Sequence, residues 1–206
     1  MNRRIVSTLL ALCAWGAALP ASASTPPPSE PLPRNGIAPE FALSWFGDTF
    51  THPGARAGAH VALFERGAHR VMAGLDLGFY SHAGYHTGVL ADVTAGYRFT
   101  FRSGLFADLR VGAGYLRTFL AGDTFTRGAD GTFARAPLAG SNAFAPVQSL
   151  MLGWDLAHRD ARRAPLSLFA GVTVFEQLPF NGGWTAHVAG QAGLAWRFGR
   201  GEEVAR

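Results

Sequence analysis

The sequence predicts an all-β chain that forms an eight-stranded antiparallel up-and-down transmembrane β-barrel. Three observations lead to this fold class: an export signal at the start, few charged residues, and eight later segments in which apolar and polar side chains alternate. Charged residues make up 16% of the chain, whereas a soluble domain usually contains about 25%. A closed barrel suits such an exported chain, because it satisfies every backbone hydrogen bond within lipid.

Residues 1–23 have the order of a secretory signal peptide. Arg3 and Arg4 give a positive start, an apolar run extends from Ile5 to Leu19, and Ala21-Ser22-Ala23 is a small-residue cleavage site. The apolar run is shorter than the ~20 residues that a membrane-spanning helix needs. Cys13, the one cysteine of the chain, lies in this segment. The mature chain is therefore expected to form no disulfide and no thiolate metal site.

The mature chain is predicted to hold one domain between two polar segments. Residues 24–38 are rich in proline and are expected to form a periplasmic linker, residues 39–198 form the barrel, and residues 199–206 form a periplasmic tail. All 18 basic residues are arginine. Without Arg3 and Arg4, 16 arginines face 14 acidic residues, and this near balance argues against nucleic acid as a partner.

Eight strands follow from the period-two alternation and the turn residues between the segments. An even number places both ends of the strand series in the periplasm, so that the connections alternate between the two sides. The longest connection, at about residues 120–143, then faces outward, and the tight Arg102-Ser103-Gly104 turn faces the periplasm. The predicted strands are Glu40–Gly47, Ala55–Glu65, His69–Tyr80, Tyr85–Phe101, Leu105–Phe119, Phe144–Ala157, Leu166–Gln177 and Trp184–Phe198.

The fourth and fifth predicted strands separate an apolar face from a polar one most clearly. Val93 and Leu109 lie on apolar faces, while Asp92 and Arg110 lie on polar faces that also carry glycine. A soluble barrel places its apolar face inside, whereas a membrane barrel turns it toward lipid. Glycines on the polar face and aromatic side chains near the strand ends favour lipid. The ten residue steps from Leu105 to Tyr115 also cover roughly 25 Å at the usual strand tilt, the height of a bilayer's apolar band.

The polar face is predicted to form an ion-paired interior that fills the barrel rather than a diffusion pore. Arg102-Ser103-Gly104 has the pattern of a three-residue hairpin loop with Gly104 in the left-handed conformation, and this register places Arg98 opposite Asp108. Such pairing is expected because a buried charge needs a partner. The predicted charge network is Arg98, Asp108, Asp92, Arg110, Asp76, Arg70 and Arg197, and Glu40, Arg56, Asp155, His187 and Gln191 share its face.

The chain resembles the small eight-stranded outer-membrane barrel proteins of Gram-negative bacteria between about Pro39 and Phe198. The resemblance rests on the strand pattern and on segments such as residues 95–106 (AGYRFTFRSGLF) and 112–119 (GAGYLRTF), which are similar to an uncharacterised family of such barrels. It implies an outer-membrane location, with membrane lipid, lipopolysaccharide and the barrel-assembly machinery as partners, and it implies no activity. The chain departs from the usual pattern in that eight residues follow the terminal aromatic Phe198.

Histidine is the one residue type that clusters at the outward end of the predicted barrel. Imidazole and carboxylate groups together can bind a transition metal. The alternative is that these are unrelated polar residues of the loops. The candidate metal ligands are His52, His82, His86 and His187, with the carboxylates of Asp48 and Glu176 near the same rim. No cofactor is expected.

The sequence therefore predicts a non-enzymatic outer-membrane protein with a structural or surface-binding role. A first alternative is a membrane-embedded hydrolase that modifies lipid, like the lipid A deacylases, which pair serine with histidine as His-x-Ser; no histidine of this chain precedes a serine by two positions. A second alternative is a secreted soluble barrel that binds a small ligand. Surface binding is assigned to the long outward connection, through Asp123, Phe125, Arg127, Asp130, Phe133 and Arg135.

Overall fold

The computed structural model describes residues 39–136, 138–158 and 164–198. The predicted signal peptide at residues 1–23, the linker at 24–38 and the tail at 199–206 lie outside the described residues, as does most of the predicted turn near residues 159–164. No helix within the described ranges is long and apolar enough to cross a membrane.

Eight long strands close into one antiparallel barrel, in the order β1-β10-β9-β8-β5-β4-β3-β2 around the ring. The predicted eight-stranded up-and-down barrel is therefore confirmed, and the strand ends differ from the predicted ones by at most three residues. The strands are β1 (Pro39–Asp48), β2 (Gly54–Arg66), β3 (His69–His82), β4 (His86–Thr100), β5 (Leu105–Leu120), β8 (Asn142–Asp155), β9 (Leu166–Phe180) and β10 (Gly183–Arg197).

The long connection between β5 and β8 contains a second, small sheet that the sequence pattern did not predict. It is a hairpin of β6 (Phe125–Arg127) and β7 (Phe133–Arg135). We call the end of the barrel that carries this connection the loop end, and the opposite end, which carries the Arg102-Ser103-Gly104 turn, the turn end.

The turn between β4 and β5 forms as the sequence predicts. The amide of Phe101 donates to the carbonyl of Leu105 at 2.7 Å, and Gly104 has a φ of 88°. A Cβ atom at Gly104 would also lie 2.8 Å from the carbonyl oxygen of Asp155, so both backbone conformation and space require glycine there. The register pairs Arg98 with Asp108, as predicted.

The barrel has its apolar side chains outside and its charged ones inside. Val93 and Leu109 are 59% and 48% exposed, whereas Asp92 and Asp108 are 2% and 1% exposed. Apolar and aromatic side chains cover the outer faces of the strands and form a belt around the barrel. The prediction that the apolar face points away from the interior is confirmed.

Candidate functional site

Arg98 is the centre of an ionic cluster at the turn end of the interior. Its guanidinium donates to both carboxylate oxygens of Glu40, each at 3.0 Å, and to Oδ2 of Asp108 at 2.9 Å. It also lies over the ring of Phe106, 4.2 Å from the centroid. β1 and β4 are not neighbours in the ring. The Glu40–Arg98 pair therefore crosses the barrel and joins two strands that share no backbone hydrogen bonds.

Further ion pairs surround this centre. Arg110 donates to Oδ2 of Asp108 at 2.7 Å, which gives this carboxylate a second arginine. Arg70 donates to Glu65 at 2.6 Å and to Glu40 at 3.4 Å. Arg197 lies 3.5 Å from Glu40 and 3.9 Å from Asp155.

A second ionic cluster lies nearer the middle of the barrel. Arg56 donates to Asp92 at 2.8 Å and lies 3.5 Å from Asp76. The imidazole of His60 lies 3.3 Å from Asp76 and 2.7 Å from Nη1 of Arg110, so it links the two clusters. His60 is absent from the predicted interior set, although its position four residues after Arg56, on the same face of β2, could have identified it.

The structure brings all seven members of the predicted charge network into the interior. Within the two clusters five arginines stand among five buried carboxylates, so the formal charges of these ten groups cancel. The exposed Glu65 and the buried Asp48, which lies nearer the loop end, are outside this count. The arginines are Arg56, Arg70, Arg98, Arg110 and Arg197, and the carboxylates are Glu40, Asp76, Asp92, Asp108 and Asp155.

Beside the ionic clusters, four neutral polar side chains form a hydrogen-bonded chain. The amide of Gln191 donates to the hydroxyl of Ser44 at 2.9 Å, and its oxygen accepts from Thr173 at 3.1 Å. The Thr173 hydroxyl lies 2.9 Å from that of Ser149. A cavity of about 20 Å³ lies against this chain and against Arg56 and its neighbours, which is space for about one water molecule.

An apolar layer fills the interior between the ionic clusters and the loop end. Its large side chains, which include the three rings of Phe46, Tyr80 and Phe175, are fully buried. A Cβ atom at Gly88 would overlap the Tyr80 ring, so this glycine makes room for it. The alternation of the strands did not predict this layer. Its buried members are Phe46, Tyr80, Leu90, Leu116, Ala143, Ala145, Val147, Phe175 and Ala189.

The four candidate metal-binding histidines all lie at the loop end, but they do not converge on one point. The His52 and His82 rings stack with their centroids 3.7 Å apart, and the His86 ring lies 5.5 Å from His82. His187 stands apart, stacked on the ring of Phe175 at 4.7 Å. Its Nδ1 atom lies 3.0 Å from Asp48.

No group of three or more histidine, cysteine or acidic side chains in the described ranges could hold a metal ion. Glu176, which the sequence placed near this rim, lies on the outer face of β9, because its neighbours Phe175 and Gln177 are the ones buried inside. The hypothesis of a metal site at His52, His82, His86 and His187 therefore has no support in this arrangement.

The Asp48–His187 pair resembles two members of a hydrolytic triad, but the third member is absent from the part of the chain that the structure describes. The Nε2 atom of His187 is buried and no hydroxyl group is within hydrogen-bond distance of it. An imidazole that activates a nucleophile must contact it through this nitrogen. The pair thus lacks the geometry of a triad.

The β6–β7 hairpin orders the centre of the long connection at the loop end. Its turn is held by Asp130, which accepts from the Thr132 hydroxyl at 2.7 Å and from the Thr132 amide at 3.1 Å. These hydrogen bonds lower the pKa of Asp130. Arg135 forms an ion pair with Asp123, whereas the side chain of Arg127 has no hydrogen bond or ion pair with any described residue.

The chain matches no protein-family model and no curated protein. Among solved structures it is similar to the N-terminal β-barrel domain of Pseudomonas aeruginosa OprF, with 14% identity and a TM-score of 0.45 over 78% of this chain and 97% of that one. It is also similar to Neisserial surface protein A, with 11% identity and a TM-score of 0.43 over 78% and 94%. The outer membrane enzyme PagL has 10% identity and a TM-score of 0.42 over 76% and 97%. Similarities at this level assign no activity.

The chain's own surfaces define its class. It is a closed eight-stranded antiparallel barrel with an apolar outer belt and an ionic interior, the arrangement of an outer-membrane protein.

Proposed function

We propose that this protein stands in the outer membrane as a closed barrel with a non-enzymatic, structural or surface-binding role, which it performs at the loop end. The outer belt is the single observation that carries the membrane location. Leu43, Leu75 and Leu152 are 59%, 59% and 64% exposed on it. A soluble protein rarely leaves a continuous apolar surface of this extent in water, which argues against the secreted soluble alternative.

A closed interior is supported by three features that lie along the axis. The ionic clusters have balanced formal charges, the cavity among them has room for about one water molecule, and the apolar layer lies between them and the loop end. A hydrated ion that entered would have to displace buried ion pairs, which are costly to separate.

Conductance in a planar lipid bilayer tests the closed interior. We expect the refolded protein to give no steady ionic current, while a general porin that is reconstituted at the same molar ratio serves as the positive control. A stable open current that depends on the amount of folded protein would contradict a closed interior.

Cell fractionation tests the location and orientation. We expect the protein in the outer-membrane fraction, with a folded band that migrates differently from the heated one. A protease site inserted between Gly128 and Gly131, in the turn of the hairpin, should be cut in intact cells. A site inserted at Ser103 should be cut only after the outer membrane is opened, and the reverse result would invert the proposed orientation.

The non-enzymatic role is supported by the burial of the His187 Nε2 atom, which has no hydrogen-bonding partner among the described residues. Mass spectra of lipid A from cells with and without the protein test it. We expect identical spectra. If lipid A lacks an acyl chain in cells with the protein but keeps it in cells with the His187→Gln variant, the hydrolase alternative is correct instead.

A further inference from the structure

One face of the β6–β7 hairpin combines two arginines with two phenylalanines. Phe125 pairs with Arg135, and Arg127 pairs with Phe133. Cross-strand partners share a face, as do residues two apart on one strand, so these four side chains project on the same side. Thr126 and Ala134 occupy the other side. We call the four-residue side the hairpin face.

The arginines of the hairpin face are available to an external anion. Arg127 has no hydrogen bond or ion pair with any described residue, and the partner of Arg135 is Asp123, with both side chains largely exposed. An exposed ion pair contributes little to stability, so an anion of higher charge can replace Asp123. Arg127 and Arg135 are diagonal neighbours, with backbones about 7–8 Å apart. This spacing lets two guanidinium groups converge on one phosphate.

The phenylalanines of the hairpin face add an apolar component. Phe125 and Phe133 are 57% and 71% exposed. Burial of an apolar ring is favourable in free energy, so these two rings favour a ligand that covers them. A small inorganic anion covers neither ring. The combination therefore fits a ligand that carries a phosphate group next to apolar chains.

The hairpin continues from the ends of two barrel strands. Hydrogen bonds from Leu120 to Ala139, at 2.9 Å, and from Ala136 to Thr124, at 2.7 Å, continue the β5–β8 pairing toward it. Arg117 lies near the end of β5 that leads to this connection, on the outer face of the strand and 5.0 Å from the centroid of the Phe119 ring. Basic and aromatic side chains thus occur both at the end of β5 and on the hairpin face.

We propose that the hairpin face binds the phosphate groups of a phosphorylated glycolipid in the outer leaflet, the lipid A part of lipopolysaccharide. This assignment rests on the proposed outer-membrane location, because the headgroup layer is then the phosphate-rich surface within reach of the hairpin. The two phenylalanines contact the sugar or acyl part of the same lipid.

Native mass spectrometry of the detergent-solubilised protein, titrated with bisphosphorylated lipid A, tests the assignment. Each basic residue near an anionic surface contributes about 1 kcal/mol, so the double variant R127Q/R135Q should bind about 30-fold more weakly. The control R66Q/R102Q removes the same charge from the turn end of the barrel and should bind like the original protein. Dephosphorylated lipid A should bind as weakly to the original protein as phosphorylated lipid A binds to R127Q/R135Q.

Two further measurements distinguish binding of a lipid phosphate from binding of free phosphate. Inorganic phosphate at the phosphate concentration of the lipid should leave lipid A bound, and F125A/F133A should lose affinity for the lipid while retaining both arginines. Equal affinity of R127Q/R135Q and R66Q/R102Q, or displacement by inorganic phosphate, would overturn the assignment. If the protein folds in the outer membrane and these variants bind equally, the hairpin assignment alone fails. A protein that is absent from the outer membrane refutes the proposed function itself.

Discussion

Replacing Arg98 by methionine tests whether the interior is held by charge compensation. Methionine keeps apolar contact with the Phe106 ring but removes the guanidinium that binds Glu40 and Asp108. Arg98 is 3% exposed, so water has little access to the carboxylates that it leaves. The charged groups of the two clusters would then have one uncompensated negative charge.

The remaining partners set the size of the effect. Removing one member of a buried ion pair costs about 3–5 kcal/mol. Asp108 retains Arg110 at 2.7 Å, and Glu40 retains Arg70 at 3.4 Å, which favours the lower end of that range. We therefore expect R98M to lower the free energy of unfolding by about 3 kcal/mol. The double variant R98M/E40Q removes one charge of each sign and should recover at least half of the loss.

Urea-dependent folding into phosphatidylcholine vesicles, followed by the gel mobility of the folded band, measures these free energies. R127M removes the same charge from an exposed side chain that has no hydrogen bond or ion pair with any described residue, and it is the control, with an expected change within about 0.5 kcal/mol. An R98M variant as stable as R127M would refute charge compensation. A double variant less stable than R98M would show that Glu40 stabilises the barrel through its other contacts instead.

Two further substitutions test the outer belt and the apolar layer in the same assay. Leu109→Arg places a charge on the lipid face and should cost about 2–4 kcal/mol, whereas Leu109→Gln at the same site should cost less; equal costs would argue against burial of this face in lipid. Gly88→Val would place a side chain against the Tyr80 ring and should destabilise the barrel by about 1–3 kcal/mol. The control is Gly183→Ala, because the nearest atom to a Cβ there is the carbonyl oxygen of Phe180 at 3.7 Å, an ordinary contact distance; it separates crowding from a general loss of glycine. A fully stable Gly88→Val would mean that the layer is not tightly packed.

The parts of the fold that depend on local pattern could be predicted from the sequence. Alternation at period two fixes which side chains share a face, and the length of a hairpin loop fixes its register. For this reason the sequence pairs Arg98 with Asp108, ten residues away across one short turn, and the structure has the same pair. The strand ends followed from the same turn residues.

Contacts between strands that are distant in the ring could not be predicted in this way. Glu40 binds Arg98 from 58 residues away, and no local rule selects it over other acidic side chains of the polar face. The apolar layer was missed for a related reason. Leu90 and Leu116 share their faces with Asp92 and Gly114, and a strand read alone does not indicate that several such positions meet at one height in the barrel.

The strand order predicts that His52, His82, His86 and His187 lie at the same end of the barrel, and they do. Their closeness along the rim does not make them a set of metal ligands. Coordination needs several nitrogen atoms directed at one point, and ring orientation depends on packing that the sequence does not reveal. His52 and His82 stack on each other, while His187 is held by Asp48 and Phe175.

The order of the interior layers limits where this protein can meet other molecules. The apolar layer separates the ionic clusters from the loop end. Because little water surrounds the ion pairs of the clusters, they are screened less and attract each other more strongly across the strands. A solute that enters from the loop end passes the histidines of the rim and then meets the fully buried Phe46, Leu90 and Phe175, which offer it no polar partner. Recognition is therefore confined to the rim and the connections. Among these surfaces, the hairpin face combines two exposed aromatic rings with Arg127, which has no ion pair with any described residue. Substitutions on this face should therefore change binding without changing the stability of the barrel.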